Sequence, residues 1–118
     1  MEQPKLNEGE IYVGAIITPD GSRNHHIILL PGESDEIEWK AANEWAASIG
    51  GELPDRVEGA LLFATQKDQF KPDYYWTRDP SSDKSDYAWF QNFYFGNQNG
   101  YRKSQKLYAR AVRRVEVK

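Results

Sequence analysis

The order of local patterns along the chain predicts an α+β domain, with two strands, then two helices, then several further strands. Residues 11–17 and 25–30 are apolar and rich in β-branched side chains, with turn residues between them. Residues 39–70 carry apolar side chains at helical spacing, and strand-like aromatic segments follow from Tyr74 onward. These three observations define the predicted fold class.

Length and composition favour one domain. A chain of 118 residues, with aromatic side chains at 14% of positions, can close a single core, so we expect one domain over residues 1–118. The polar segment 1–9 is expected to be flexible. The sequence has no cysteine, which excludes disulfides, thiolate metal sites and a cysteine nucleophile. It shows no apolar run typical of a signal peptide or a membrane span, which predicts a cytoplasmic protein without membrane association.

The first two elements are predicted to form a β-hairpin, which residues 31–32, Pro-Gly, bring to an end. The first helix spans 39–49, and Gly50 follows at the position of a left-handed C-terminal cap. Asp55, with Glu58 three residues later, resembles a capping box that opens the second helix, which runs to about Phe70.

The second half of the chain is predicted to form strands. Residues 74–77 and 87–95 are predicted strands joined by a polar loop at 78–86, and the second of them is expected to be buried on both sides. Asn99 and Gly100 form the strongest short hairpin signal, so the return strand is expected from Tyr101. Residues 107–117 predict a terminal strand that pairs with the opening hairpin.

The helical region also carries a family resemblance. Residues 38–42 (EWKAA) and 49–54 (IGGELP), with Glu58 and Leu61 beyond, resemble the first helix, Gly-Gly-x-Leu turn and second helix of C-type-lectin-like domains. Residues 75–77 (YWT), 87–89 (YAW) and 110–113 (RAVR) are similar to a subfamily of short domains of unknown function, common in bacterial and phage genomes. The resemblance implies an N-terminal hairpin, two helices and a mostly antiparallel sheet closed by the C-terminal strand.

Departures from the family pattern bear on ligands. Ala46 stands where many members have a cysteine, so the resemblance favours an intracellular member. Calcium-binding members carry Glu-Pro-Asn or Gln-Pro-Asp and Trp-Asn-Asp motifs, and this sequence has neither. We therefore expect no metal and no other cofactor. His25 and His26 are adjacent on a predicted strand, where their side chains would point to opposite faces and could not share an ion.

The sequence offers no recognisable catalytic arrangement, so a non-catalytic binding module is predicted. Trp76, Trp89 and Phe93 are expected in the core. Polar and aromatic residues in the loop and strand region 78–102 are of the types enriched at binding surfaces. The predicted partner-binding residues are Arg78, Asp79, Asn97, Gln98, Asn99, Tyr101 and Arg102.

The resemblance implies a phage or prophage accessory protein whose partner is a protein, with modulation or inhibition of a host system as one form and a virion component as another. The net charge of −3 argues against nucleic acid as the partner. One alternative is calcium-independent carbohydrate binding, with Tyr101 or Trp89 stacking on a sugar and Asn97 or Asp79 bonding its hydroxyls. An enzyme of unfamiliar type is a second alternative, and a homo-oligomer covering an unpaired sheet edge is left open.

Overall fold

A computed structural model describes residues 2–118 and leaves Met1 outside the described part of the chain. Two helices and two three-stranded antiparallel sheets make up the α+β architecture. The elements are β1 (Ile11–Ile17), β2 (Asn24–Leu29), α1 (Trp39–Ser48), α2 (Arg56–Gln66) with a 3₁₀ turn (Lys67–Gln69), β3 (Tyr74–Pro80), β4 (Tyr87–Asn92), β5 (Gln98–Arg102) and β6 (Val112–Glu116). Residues 2–9 contain no helix or strand. Segment 1–9 was expected to be flexible; for residues 2–9 this stays a prediction, and Met1 lies outside the described residues.

The first sheet has the strand order β1-β2-β6. The predicted N-terminal hairpin is confirmed, since β1 and β2 pair antiparallel from Ile11 opposite Leu29 to Ile17 opposite Asn24. The predicted pairing of the terminal strand with this hairpin is also confirmed, because β6 lies antiparallel beside β2. The strand begins at Val112, later than the predicted residue 107.

The second sheet has the order β3-β4-β5, and here three boundaries predicted from sequence were wrong. Arg78 and Asp79 belong to β3 rather than to a loop. The strand predicted over 87–95 ends at Asn92, and the turn falls on the next residues instead of on Asn99 and Gly100, which both lie within β5.

The expectation of one sheet was also wrong, because the segment after β5 separates the two sheets. Residues 103–111 run between them and hydrogen bond to both sides. Tyr108 O accepts from Trp76 N of β3 at 3.0 Å, and Ala111 O accepts from Leu30 N, next to β2, at 3.0 Å. This central segment therefore links the two sheets by hydrogen bonds, and the sheets do not join into one.

The turn between the helices contains two glycines, and the geometry of the turn requires both. Gly50 has a φ of +85°, the left-handed region that favours glycine, which confirms the predicted C-terminal cap of α1. A Cβ on Gly51 would lie 2.6 Å from Val112 O, so only glycine lets the turn approach β6 this closely. The capping box of α2 is confirmed, since Glu58 N donates to Asp55 Oδ1 and Asp55 N donates to Glu58 Oε1, both at 2.8 Å.

Two apolar clusters fill the interior. In the first, Ala42 and Ala46 of α1 pack with Trp76 of β3 and with the central segment. In the second, Leu62 of α2 packs with the first sheet and with Phe93. Trp76 and Phe93 are thus core residues, as expected, whereas the expectation for Trp89 was wrong, because its side chain is only half-buried.

Candidate functional site

A polar cleft of about 380 Å³ lies where β2, β3, β6 and the start of α2 meet. It is lined by Ser22, Arg23, Asn24, His25, Asp55, Arg78, Asp79 and Arg114. Two of the predicted binding residues, Arg78 and Asp79, are therefore in one place. The cleft holds three arginines, and its chemistry depends on whether their charges are free.

Glu58 lies beneath this cleft with a fully buried side chain. Arg114 binds it through both ends of the guanidinium, with Nη2 donating to Oε1 at 2.6 Å and Nε donating to Oε2 at 2.7 Å. His25 Nε2 lies 2.9 Å from Oε2, and Oε1 also accepts from the backbone of Asp55. Both carboxylate oxygens are thus occupied by two partners each.

The pKa of Glu58 reflects these contacts. Burial raises the pKa, but the hydrogen bonds from Arg114, Asp55 and His25 and the charge of Arg114 outweigh burial and hold it below 4.5. Such a carboxylate stays ionised near neutral pH and has no free position from which to accept a substrate proton. The arrangement fits an ion-pair network that joins α2 to β6.

The other two arginines of the cleft are also paired. Arg23 Nη2 lies 2.6 Å from Asp55 Oδ2, and Arg78 Nη1 lies 3.3 Å from Glu52 Oε1. Asp79 Oδ2 accepts from Arg56 N at 2.8 Å and so serves the first turn of α2. Each of the three arginines of the cleft therefore already has a carboxylate partner.

The residues predicted on β5 divide between the two faces of the sheet, because side chains alternate along a strand. Gln98 faces α2, where its Nε2 donates to Arg56 O at 2.6 Å and to Gln91 Oε1 at 2.8 Å. Arg102 pairs with Asp86 at 2.9 Å. Asn99 and Tyr101 alternate with them on the opposite face, where Tyr101 meets Phe90 edge to face with ring centroids 6.0 Å apart.

The predicted site therefore splits into three places: the polar cleft, the α2 side of β5 and its opposite side. Asn97 belongs to none of them, because it precedes β5 and its Oδ1 accepts from Asn92 Nδ2 at 2.9 Å. Trp89, the other ring considered for sugar stacking, is half-buried, and the guanidinium of Arg56 lies 3.5 Å from its ring centroid.

Sequence reasoning missed the two most exposed rings of the chain, Tyr94 and Phe95, which are 58% and 78% exposed. They stand at the tip of the turn between β4 and β5, whereas the sequence predicted them inside a buried strand. The signal for a turn was present in Asn92 and Gly96, because Asn caps tight turns through its side chain and Gly permits positive φ.

The turn is held from below by buried amides. Asn92 Oδ1 accepts from Tyr94 N at 2.7 Å and from Phe95 N at 3.2 Å. Gln91 Nε2 donates to Gly96 O at 3.1 Å. Gly96 has a φ of +88°, and a Cβ there would lie 2.5 Å from the Phe63 ring, so the turn is fixed against α2. The two tip rings are presented from a rigid base.

A groove of about 440 Å³ runs beside this turn. It is lined by Pro72, Asp73, Tyr74, Asn92, Tyr94 and Phe95, which we call the aromatic groove. Its two walls are joined through the backbone, since Phe93 N donates to Asp73 O at 2.9 Å. The groove combines three rings with one carboxylate.

Among residues 2–118, no three His, Asp or Glu side chains converge in a way that would hold a metal ion. The adjacent histidines point to opposite faces, as expected, because His25 contacts Glu58 whereas His26 Nδ1 lies 2.8 Å from the Tyr12 hydroxyl. Within the same residues, neither helix has the length and apolar character needed to cross a bilayer.

The fold and these surfaces define the class of this chain as an α+β domain with an ordered aromatic turn on its second sheet. Comparison with protein-family models and with curated proteins gives no match.

Proposed function

We propose that this chain is a C-type-lectin-like domain that binds a protein partner without catalysing a reaction, and that the turn between β4 and β5 forms the centre of the contact. The fold part of the proposal rests on the sequence resemblance and on the order hairpin, two helices, second sheet, terminal strand. The Gly-Gly turn, whose second glycine packs against Val112 O, supports it further.

One observation carries the binding part: a rigid turn presents two large apolar rings to solvent. Exposing Tyr94 and Phe95 leaves apolar area in water that folding would otherwise remove, so the turn is not explained by stability. Asn92 and Gly96 fix the turn before any partner arrives, which lowers the entropy lost on binding. Exposed aromatic residues on an ordered scaffold are typical anchors of protein interfaces.

The chemistry of the polar cleft supports the proposal that this chain does not catalyse a reaction. Its buried carboxylate, Glu58, has both oxygens occupied, and its pKa is held low by Arg114 and its other hydrogen-bond donors. A general acid or base instead needs a pKa near the working pH and an open hydrogen-bonding position. We propose a structural role for the cleft.

The binding proposal is tested by capture from a bacterial lysate, the source that the family resemblance implies. We expect the wild-type chain to retain a specific protein that binds again when both are purified, and Phe95→Ala to weaken this binding by about tenfold or more. Tyr87→Ala, a change of a half-buried ring away from the turn, is the matched control. Recovery of no partner, or equal binding by Phe95→Ala, would contradict the proposal.

Carbohydrate binding without calcium is the second candidate, and the surface that favours it is the open side of β5. Tyr101 is 38% exposed and shares a strand face with Asn99, so a ring and an amide are available together. A glycan array separates the candidates: a saturable signal lost in Tyr101→Ala and kept in Phe95→Ala would favour sugar over protein.

A further inference from the structure

Among residues 2–118, several rings have a cation that the chain itself supplies, whereas the rings of the aromatic groove have none. Six rings have a Lys or Arg within 5.4 Å of the centroid: Trp39, Phe63, Phe70, Tyr87, Trp89 and Tyr108. A cation over a ring face is attracted by the negative potential of the π system.

The groove has rings and no cation of its own. Across residues 2–118, no Lys or Arg lies over the ring of Tyr74, Tyr94 or Phe95. The nearest lysine in sequence, Lys71, is bound to Glu33 and stands 4.6 Å from the Tyr108 ring, so it is engaged away from the groove.

A carboxylate occupies the groove instead. Asp73 is exposed, and its Oδ1 accepts from Tyr74 N at 2.7 Å, which fixes the side chain at the groove wall. Within residues 2–118, no side chain or amide donates to its Oδ2. The groove thus combines ring faces, which attract cations, with an ionised oxygen that has capacity to accept further hydrogen bonds.

The rings leave part of their surface available. Tyr74 stacks one side on Phe90 at a centroid distance of 4.3 Å, so its other face remains. Tyr94 and Phe95 meet at 4.5 Å and 72°, an edge contact that leaves ring faces open on both. Faces of this kind, together with a carboxylate, suit a long cationic side chain whose methylene stem packs on the rings.

We propose that the aromatic groove binds a Lys or Arg side chain of the protein partner, with its charge against Asp73 and its stem on the rings of Tyr94 and Phe95. The inference rests on the proposed function, since it assigns the chemistry of the partner at the same surface. Tyr74, Tyr94 and Phe95 have no Lys or Arg from residues 2–118 over their faces and lie beside the Asp73 carboxylate, so the complementary charge has to come from another molecule.

The test uses blocked tripeptides, acetyl-Gly-X-Gly-amide, in which X is arginine, lysine or citrulline. Citrulline has nearly the shape of arginine without its charge. Each peptide is titrated into the isotope-labelled chain, and the backbone amide resonances of Asp73, Tyr94 and Phe95 are followed by NMR. We expect saturable shifts with arginine and lysine, and binding weaker by about fivefold or more with citrulline.

Two variants locate the contact. Asp73→Asn removes the charge while keeping an oxygen that can accept from Tyr74 N, and it should weaken arginine binding by about fivefold or more. Phe95→Leu removes a ring while keeping an apolar side chain, and a similar loss is expected. Glu44→Gln, which neutralises an exposed carboxylate on α1, is the control and should bind as wild type.

Equal binding of citrulline and arginine, or unchanged binding by Asp73→Asn, would overturn the inference, and so would the absence of shifts with all three peptides. Shifts with monosaccharides and not with the peptides would overturn it in favour of a sugar. The proposed function fails separately. If Phe95→Ala loses the captured partner while Asp73→Asn keeps it, the protein-binding proposal stands and the cationic side chain is rejected.

Discussion

Glu58 is the residue on which most polar contacts converge. A substitution can remove its charge while keeping its role in the capping box. Glu58→Gln keeps an oxygen for the capping box but removes the buried carboxylate of Arg114, which is left with only the exposed carboxylate of Glu52. We expect a loss of about 2–3 kcal/mol in the free energy of unfolding. Urea denaturation measures it, with Glu44→Gln as the exposed control that should change stability by less than about 0.5 kcal/mol.

A double-mutant cycle with Arg114→Met shows whether the loss belongs to the pair. The two changes together should cost less than the sum of the single changes, because each single change leaves a charged or polar group without its partner. Additive losses would contradict the ion-pair interpretation of the cleft.

Part of this site could be predicted from the sequence and part could not. The spacing of Asp55 and Glu58 predicted the capping box, since a cap depends on residues three apart. Nothing local indicates that Arg114, 56 residues away, and His25, 33 residues away, would meet the same carboxylate. Contacts of that separation follow from the packing of α2 against β2 and β6.

Among the elements, the turn between β4 and β5 shows where local signals mislead. Asn99-Gly100 is a strong hairpin dipeptide, yet both residues lie in β5. The turn instead forms directly after β4. The side chain of Asn92 closes it, and only glycine fits at position 96, beneath the Phe63 ring. The helices and the first hairpin were predictable because their patterns repeat over many residues, whereas this turn depends on two positions and a distant ring.

The same turn gives a prediction at the scale of an element. Asn92→Ala removes the acceptor for Tyr94 N and Phe95 N, and we expect the free energy of unfolding to fall by about 1–3 kcal/mol. The amides of Tyr94 and Phe95 should also exchange with solvent faster. Asn97→Ala, which removes one exposed partner of Asn92, is the comparison and should have the smaller effect. Equal effects would mean that Asn92 does not organise the turn.

For the whole molecule, two neighbouring arginines of β6 tie the terminal strand to opposite parts of the chain. Arg113 binds Glu10 through Nε and Nη2, both at 2.9 Å, whereas Arg114 binds Glu58. The hydrogen bonds from Arg113 lower the pKa of Glu10 to about 2. The first sheet is therefore held to the N-terminal segment and to α2 by ionised carboxylates.

Acid should weaken these ties in a defined range. Because folding lowers both carboxyl pKa values, their contribution to stability is present above pH 4.5. The part from Glu10 is lost as the pH falls from 4.5 toward about 2, and the part from Glu58 is lost as the pH falls through its own lowered pKa. We expect urea midpoints to decrease over this range and the amides of β6 to lose exchange protection early. In Glu10→Gln the decrease should be smaller, and an unchanged pH profile in that variant would contradict the assignment.

The central segment has a consequence for the synthesis of the protein. Leu107, Ala109 and Ala111 belong to the first apolar cluster and Val112 to the second, so neither cluster is complete until residues 107–112 are available. While the ribosome still covers these residues, the hairpin and both helices have no finished interior against which to pack. Cooperative folding of this domain therefore has to wait until residues 107–112 have left the ribosome.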